Sequence, residues 1–250
     1  MDGAEGEITG GPHRPIEVAG QSVLVTGAAQ GLGAAIARHL HGCGAHLILL
    51  DRDAEGLAET EAACPGAQSA VVDLAQAQAV ATTLGEVVTG PIDTLIHNAA
   101  ILRFEPLEAV TLETFQATLN VGIQAAFQLT RSVWPAMTSR GGTLIFVSSR
   151  SGIEGFANEA PYCAAKHALE GFAKSLALEG ESHGILSVTV TPGMFMRTPM
   201  SERNYPPELK EKWVDPLELT PAFSYLATRP MHLSGQRLSA WDLSQEHPAP

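Results

Sequence analysis

Cysteine is scarce in this 250-residue chain, which contains only Cys43, Cys64 and Cys163. The three are widely spaced, odd in number and form no C-x-x-C pair, so neither a disulfide framework nor a zinc site is expected. Basic residues are scarce too, because 15 lysines and arginines stand against 27 acidic residues and give a net charge of −12. Such an acidic chain would be repelled by nucleic acid and by anionic membranes, so we expect neither as a partner.

Long apolar runs are also missing. No stretch approaches the roughly 18 apolar residues that a membrane helix needs, and residues 1–18 are glycine-rich and acidic rather than a signal peptide. These absences favour a cytoplasmic protein. Residues 1–18 are interpreted as a flexible tail. No change in composition divides residues 19–250, which predicts a single domain.

Short apolar runs alternate with longer helical stretches beyond residue 20. The runs, such as residues 22–26 (SVLVT) and 46–50 (HLILL), are almost continuously apolar, as in parallel strands that helices cover on both faces. The alternation predicts an α/β fold with a Rossmann-like, doubly wound parallel sheet. One long helix is expected within residues 112–137. Residues 193–216, called the lid segment below, carry no strand-like run. We interpret them as a substrate-binding lid rather than a plain surface connection.

A glycine-rich turn, TGAAQGLG at residues 26–33, connects the first predicted strand to the first predicted helix. Glycines allow a tight turn with no Cβ in the way, and the free amides and dipole of a helix N-terminus favour a pyrophosphate. The spacing differs from G-x-G-x-x-G. The prediction of dinucleotide binding therefore depends on the strand–turn–helix context of this glycine turn.

The choice between NAD and NADP depends on Asp51, which ends the second predicted strand. An acid here can accept hydrogen bonds from the adenosine ribose and would repel a 2′-phosphate, which favours NAD. Gln30 offers such a phosphate no positive charge. Arg52 is the opposing feature, since a guanidinium could pair with that phosphate. Asp73, at the end of the third strand, is expected where the adenine would lie.

Tyr162 and Lys166 are four residues apart in a predicted helix and therefore share one face. A lysine ammonium, together with an oxidised nicotinamide, could bring the pKa of a phenol from about 10 to about 7. Ser149 closes a strand at the carboxyl edge of the sheet, where its hydroxyl could stabilise a developing oxyanion. Ser148 is the alternative, because neighbouring residues of a strand face opposite sides.

The motifs and their order along the chain resemble those of the short-chain dehydrogenase/reductase family. The resemblance extends from Gly20 to about Leu243. The matching pieces are TGAAQGLG, Asp51, Asp73-Leu74, His97-Asn98-Ala99-Ala100, Asn120, Ser149, Tyr162-x3-Lys166 and Pro192-Gly193. The resemblance implies seven strands in the order 3-2-1-4-5-6-7 and commonly a homotetramer. It also implies an NAD(P)-dependent oxidoreductase that interconverts a secondary alcohol and a ketone by hydride transfer.

The resemblance implies a role for each matching residue. Tyr162 would be the general acid/base and Ser149 would orient the carbonyl. Lys166 would bind the nicotinamide ribose and lower the pKa of the tyrosine, while Asn120 would hold a water that relays protons. The expected cofactor contacts are Gly27, Gln30, Gly31, Leu32, Gly33, Asp51, Arg52, Asp73, Leu74, Asn98, Ala99, Ala100, Tyr162, Lys166, Pro192, Gly193 and Thr198. The expected substrate contacts are Ser149, Arg150, Tyr162, Met194, Phe195 and Met196.

Three features depart from the family pattern. His97 replaces the first residue of the usual Asn-Asn-Ala-Gly, and we interpret it as a structural residue at a strand end. The threonine that often follows Pro-Gly and contacts the carboxamide is displaced to Thr198. The residues between that strand and the lid are apolar, which favours a fairly apolar alcohol or ketone as the substrate.

Further candidates and alternatives stay open at this point. Arg150, Glu154 and Arg197 are candidate polar contacts near the pocket, although each could be a solvent-facing charge. An NADP-dependent carbonyl reductase that uses Arg52 is the alternative enzyme. A non-catalytic dinucleotide-binding regulator on the same fold is the alternative from another class, and the intact serine, tyrosine, lysine and asparagine set argues against it.

Overall fold

A computed structural model of the chain describes residues 17–248, so the predicted tail lies almost wholly outside the described residues. Within them, one sheet has the strand order β3-β2-β1-β4-β5-β6-β7, and every neighbouring pair is parallel. The strands β1 to β7 are Ser22–Thr26, His46–Asp51, Gln68–Val71, Thr94–His97, Gly142–Val147, Ile185–Thr191 and Arg237–Ser239. The predicted fold class and strand order are therefore confirmed.

Helices cover both faces of this sheet. The helices α1 to α9 are Gly31–Gly42, Ala54–Ala62, Ala77–Val87, Leu112–Leu119, Ala125–Arg140, Ala160–Gly180, Pro199–Asn204, Pro221–Ala227 and Ala240–Glu246. Val23 and Val25 of β1 face a core that α1, α8 and α9 cover, whereas Leu24 faces a second core under α3, α5 and α6. Both sides of each central strand are thus buried, which explains why the strands are continuously apolar.

The long helix expected within residues 112–137 is interrupted. A π-helical turn, Asn120–Gln124, separates α4 from α5. A Cβ on Gly122 in this turn would lie 2.7 Å from the Cβ of Ala165 in α6. The interruption therefore lets two helices approach more closely than a side chain at that position would allow. Helix α9 was not predicted; the Ser239 hydroxyl caps it by accepting a hydrogen bond from the Asp242 amide at 3.3 Å.

The first turn of α1 packs directly on the glycine turn. A Cβ on Gly33 would lie 1.9 Å from the carbonyl oxygen of Gly27, a distance that no real side chain tolerates. Gly171 provides a contrast, because it is exposed within α6 and a Cβ there would meet open space. The close approach at Gly33 places the start of α1 at the carboxyl edge of β1.

Gly33→Ala and Gly171→Ala make the same chemical change in opposite surroundings. We expect Gly33→Ala to lower the free energy of unfolding by about 1 to 3 kcal/mol, because the turn must shift to admit the methyl group. Gly171→Ala should raise it by about 0.5 to 1 kcal/mol, because alanine loses less backbone entropy in a helix. Urea denaturation of the two variants measures both values. Equal effects would contradict the packing described here.

Candidate active site

A cavity of about 520 Å³ opens at the carboxyl edge of the sheet. Its wall combines the glycine turn, the ends of several strands, the first turns of α6 and part of the lid segment. The expected site residues that it brings together are Gly27, Gln30, Gly31, Leu32, Asp51, Arg52, Asp73, Leu74, Asn98, Ala99, Ala100, Tyr162, Lys166, Pro192, Met196 and Thr198. Most of the predicted dinucleotide contacts and the pair Tyr162 and Lys166 therefore lie along one continuous cavity, whereas Ser149 and Asn120 do not line it.

The glycine turn is shaped for a group that needs close access to the backbone. Gly27 has a φ of +67°, and a Cβ there would lie 2.8 Å from the Asn98 side-chain amide. Gly31 has a φ of +57°, and a Cβ there would lie 3.2 Å from the Thr198 methyl group in the lid segment. Helix α1 begins after Gln30, whose side chain forms no capping hydrogen bond. The uncapped amides suit a pyrophosphate, so the residues present fit a dinucleotide.

His97 belongs to the framework behind the glycine turn. The Thr26 hydroxyl accepts the amides of Asn98 at 3.1 Å and Ala99 at 3.2 Å, and it lies 3.0 Å from His97 Nδ1. His97 Nε2 lies 3.1 Å from the carbonyl oxygen of Gly122 in the π-helical turn. Complete burial lowers the pKa of His97 to about 4, so the ring is neutral at pH 7. This arrangement supports the interpretation of His97 as a structural residue.

Asp51 lies at the opposite end of the cavity from the catalytic pair's helix. Its Oδ2 accepts the Ala29 amide of the glycine turn and its Oδ1 accepts the Asp53 amide, each at 3.0 Å. The backbone thus fixes the carboxylate on the cavity wall. Arg52 also reaches this wall and is exposed. A negative and a positive group therefore stand side by side where the adenosine ribose would bind.

The catalytic candidates Tyr162 and Lys166 project from α6 into the same cavity, as the four-residue spacing predicts. Their exposed fractions are 9% and 2%. Lys166 Nζ donates to the Val147 carbonyl oxygen at 2.6 Å and lies 5.4 Å from the centre of the Tyr162 ring. Burial lowers the pKa of Lys166 to about 8, an effect that the Glu170 carboxylate opposes. The amine is therefore still mainly protonated at pH 7.

The expected lowering of the Tyr162 pKa is not a property of the protein alone. Burial raises the pKa of Tyr162 above its ordinary value, and the nearby Tyr205 and Glu159 act in the same direction. The nearby Ser149 hydroxyl opposes this rise in the pKa. Desolvation outweighs the lysine because the Lys166 ammonium is directed at a backbone carbonyl rather than at the phenol oxygen.

Ser148 and Ser149 face different groups, as the alternation along a strand predicts. Ser149 is directed towards Tyr162, and its Oγ accepts the Ser151 amide at 3.2 Å. Ser148 forms part of the cavity wall, but its hydroxyl donates to the buried Glu170 carboxylate. Ser149, rather than Ser148, is therefore the serine beside the phenol, although it is not part of the cavity wall and its hydroxyl donates to Ser151 Oγ at 3.3 Å.

Glu170 is a residue of the site that sequence reasoning missed. Besides Ser148, its carboxylate accepts the Thr189 hydroxyl at 2.7 Å and Arg237 Nε at 3.2 Å. Arg237 Nη2 in turn donates to the Ser149 carbonyl oxygen at 3.1 Å. This network holds the backbone of Ser149, the candidate catalytic serine. The available signal was spacing, since the glutamate stands one helical turn beyond the lysine.

Several expected contacts are not brought to the cavity. Asn120 is not part of the cavity wall, and its side-chain amide donates to the Ala75 carbonyl oxygen at 3.1 Å. Gly33 is enclosed by the glycine turn instead of lining the cavity. Gly193 packs on β7, where a Cβ would lie 2.3 Å from the Ser239 hydroxyl oxygen.

The expected substrate contacts are corrected in part. Arg150 lies on the surface and pairs with Glu154 at 2.7 Å, because the two stand four residues apart with both side chains in solvent. Met194 and Phe195 are each 38% exposed and lie outside the cavity wall. Of the three apolar residues, only Met196 lines the cavity. Arg197 borders a shallow groove beside the lid segment.

The lid segment has regular structure of its own. It contains α7 and the 3-10 helix Pro207–Lys212. Tyr205 lies between Phe104 and Phe195, with edge-to-face ring distances of 6.2 and 5.7 Å. The lid residues that line the cavity are Met196, Thr198, Pro199, Met200, Arg203 and Asn204. Sequence reasoning located the segment but missed Tyr205 and Phe104, since aromatic residues in loops carry no distinguishing spacing.

Within residues 17–248, no group of three or more histidine, cysteine, aspartate or glutamate side chains could hold a metal ion. No helix in the same range is long and apolar enough to cross a membrane.

Comparisons with known proteins agree with this geometry. Residues 21–208 match the family model described as short chain dehydrogenase. L-xylulose reductase from Bos taurus is 34% identical over 199 residues, which cover 79% of this chain and 80% of that protein. Carbonyl reductase 2 from Sus scrofa, whose name specifies NADPH, is 32% identical over 195 residues, which cover 77% and 79%.

Solved structures give the same result. A Beutenbergia cavernae protein described as an NAD(P)-dependent gluconate 5-dehydrogenase, with bound NADP, superposes with a TM-score of 0.82 at 29% identity. The match covers 91% of this chain and 99% of that one. With its strand order, its cavity and its motifs in agreement, the chain belongs to the short-chain dehydrogenase/reductase family of oxidoreductases acting on CH–OH groups.

Proposed function

We propose that this protein is an NAD-dependent oxidoreductase that interconverts a secondary alcohol and a ketone, with Tyr162 as general acid/base. The observation that carries the proposal is the cavity itself. It joins Tyr162 and Lys166 to the uncapped start of α1 and to the Asp51 carboxylate. A dinucleotide and a small carbonyl compound would therefore meet beside the buried phenol.

A nicotinamide cofactor, when bound, would supply the hydride for reduction or accept it in oxidation. In reduction, Tyr162 donates its phenolic proton to the carbonyl oxygen, and Ser149 donates a hydrogen bond to the same oxygen. In oxidation, the phenolate form of Tyr162 takes the hydroxyl proton. Because burial favours the protonated phenol, the protein alone is prepared for the reductive direction.

Lys166 contributes a fixed positive charge. Its hydrogen bond to the Val147 carbonyl oxygen holds the ammonium at the end of β5. There it would bind the hydroxyls of the nicotinamide ribose and stabilise the phenolate whenever that form appears. Asn120, the first residue of the π-helical turn, keeps its proposed role of holding a water that relays protons from Lys166.

We also propose that the lid segment covers the substrate. Met196 and Met200 offer it an apolar wall, together with Leu102 and Phe104 on the opposite side. These residues support a fairly apolar alcohol or ketone. Arg203 adds a single positive group from α7. The homotetramer implied by the family resemblance stays a prediction.

Tyr162→Phe tests the acid/base assignment. The variant keeps the ring but removes the hydroxyl, so kcat/KM for ketone reduction should fall by at least about 100-fold. NADH binding, followed by fluorescence titration, should change by no more than about twofold, because the phenol contributes little binding energy of its own.

Tyr225→Phe is the matched control. The Tyr225 and His247 rings stack with their centres 3.6 Å apart, and Tyr225 is not part of the cavity wall, so its substitution should leave kcat/KM unchanged. Full activity of Tyr162→Phe would refute the proposed mechanism. Binding of NADH without turnover of a ketone panel by the unaltered protein would instead favour the non-catalytic regulator.

An NADP-dependent carbonyl reductase is the second candidate. Arg52 on the cavity wall supports it, since a guanidinium there could pair with the 2′-phosphate. The Beutenbergia cavernae structure contains NADP, and the name of the Sus scrofa relative specifies NADPH. The argument for NAD is that backbone amides fix the Asp51 carboxylate, so it cannot turn away from that phosphate.

Cofactor preference distinguishes the two candidates. We expect a higher kcat/KM with NADH than with NADPH. Asp51→Asn should narrow this preference by about tenfold or more, because the side chain no longer repels the 2′-phosphate of NADPH. Asp53→Asn is the control, since it removes one charge two residues away and should leave the preference within about twofold. Steady-state kinetics with both cofactors provide the measurement. A preference of the unaltered protein for NADPH would overturn the assignment to NAD.

A further inference from the structure

A buried carboxyl group beside the catalytic serine has no role in the mechanism proposed above. Glu159 immediately precedes α6 and is 4% exposed, as is Ser151. The Ser151 hydroxyl donates to Glu159 Oε2 at 2.8 Å, and the Oγ atoms of Ser149 and Ser151 lie 3.3 Å apart. The Ser151 amide also donates to Ser149 Oγ at 3.2 Å. A chain of hydroxyl groups thus connects Ser149 to Glu159.

We propose that Glu159 is a positioning residue that sets, through Ser151, the direction in which the Ser149 hydroxyl points. The inference rests on the proposed roles of Tyr162 and Ser149. It assigns Glu159 no contact with substrate or cofactor. Its effect passes along the hydroxyl chain.

When Glu159 is ionised, the hydroxyl groups of Ser149 and Ser151 donate their hydrogen bonds towards Glu159 and away from the substrate. A carboxylate can only accept hydrogen bonds, so the Ser151 hydroxyl must donate to it. The Ser151 oxygen then accepts the hydroxyl hydrogen of Ser149, as the donor order of the structure has it. That hydrogen points away from Tyr162. The catalytic serine has to give up this bond before it can donate to a substrate carbonyl.

When Glu159 takes up a proton from solvent, the chain can reverse. The carboxyl group then donates to the Ser151 oxygen, and the Ser151 hydroxyl turns to donate to Ser149 Oγ. The Ser149 hydrogen is freed for the substrate oxygen. Only hydroxyl orientations change along the chain, and the one proton gained stays on Glu159.

The surroundings of Glu159 make the protonated form accessible. Burial raises its pKa above the ordinary carboxyl value, and the Ser151 hydrogen bond opposes this rise. The groups that face it are the phenols of Tyr162 and Tyr205, whose own pKa values burial raises, and the thiol of Cys163 stands one turn along α6. None of the ion pairs within residues 17–248 includes Glu159. No paired cation therefore holds this carboxyl ionised.

The pH profile of ketone reduction tests the proposal. In the unaltered protein, kcat/KM should fall by about two- to tenfold as pH rises through the pKa of Glu159, which corresponds to the loss of about one hydrogen bond. This decrease, called the lower limb of the pH profile, occurs at a lower pH than the decrease that reports deprotonation of Tyr162. Glu159→Gln carries no charge at any pH, so the lower limb should be absent from its profile. Retention of that limb by Glu159→Gln would overturn the proposal.

Two further variants distinguish orientation of the Ser149 hydroxyl from an effect of the Glu159 charge or of packing. Ser151→Ala breaks the chain while keeping the backbone amide on Ser149, so it should also lose the lower limb. Ser151→Ala provides this test independently if Glu159→Gln fails to fold in a thermal melt. Glu154→Gln removes one surface charge from the same loop and should keep the limb.

The contrary outcomes are equally distinct. A limb that persists in Ser151→Ala would mean that the carboxylate acts directly by its charge, which contradicts the orienting role. A uniform loss of activity with an unchanged profile shape would indicate a merely structural residue and would also contradict it. If Tyr162→Phe is inactive while both chain variants keep the limb, this inference fails and the proposed function stands. Full activity of Tyr162→Phe would remove the proposed function itself.

Discussion

The hydrogen bond between the buried Lys166 ammonium and the Val147 carbonyl oxygen ties the catalytic helix to the sheet. A buried ammonium must be hydrogen-bonded, and the last residue of β5 satisfies it at the point where the strand reaches the cavity. Tyr162 lies one turn earlier on the same helix and Glu170 one turn later, so fixing the lysine also fixes the phenol and the carboxylate network behind it. The position of the phenol relative to the sheet thus follows from a contact that the lysine makes with the backbone.

A second set of contacts aligns the cofactor half with the catalytic half. Thr26 at the end of β1 binds the turn after β4, and His97 at the end of β4 reaches the π-helical turn at Gly122. That turn packs against α6 at Ala165, next to the catalytic lysine. A continuous path of packed backbone therefore connects the glycine turn with the catalytic helix. Neutral His97 suits this place, because a charged ring at the same position would need a counter-ion in the interior.

Apolar runs in the sequence predicted the buried strands, but not the features that depend on contacts between distant residues. The strand Ser22–Thr26 has the predicted bounds, and the strand predicted at residues 46–50 is one residue longer, because burial on both faces leaves a continuous apolar run. The π-helical turn was not predictable, since its residues continue a helical pattern and only contacts with α6 and β4 account for the break. The same distinction holds in the site. Residues at strand ends were found by position, whereas Glu159, Glu170 and Tyr205 matter through neighbours that are distant in sequence or in another element.

The pKa values of the site show why its chemistry cannot be inferred from one pair of residues. Lysine spacing predicts a phenolate, but each pKa unit corresponds to about 1.4 kcal/mol, and desolvation of Tyr162 exceeds what a lysine directed elsewhere returns. The phenols of Tyr162 and Tyr205 and the His97 ring are consequently neutral, and burial also favours the neutral Glu159. Lys166 supplies the positive charge in the centre of the site. In the proposed reaction, negative charge developing on a substrate oxygen would therefore meet a protonated phenol and little competing charge, which is the condition under which fixed dipoles stabilise a transition state best.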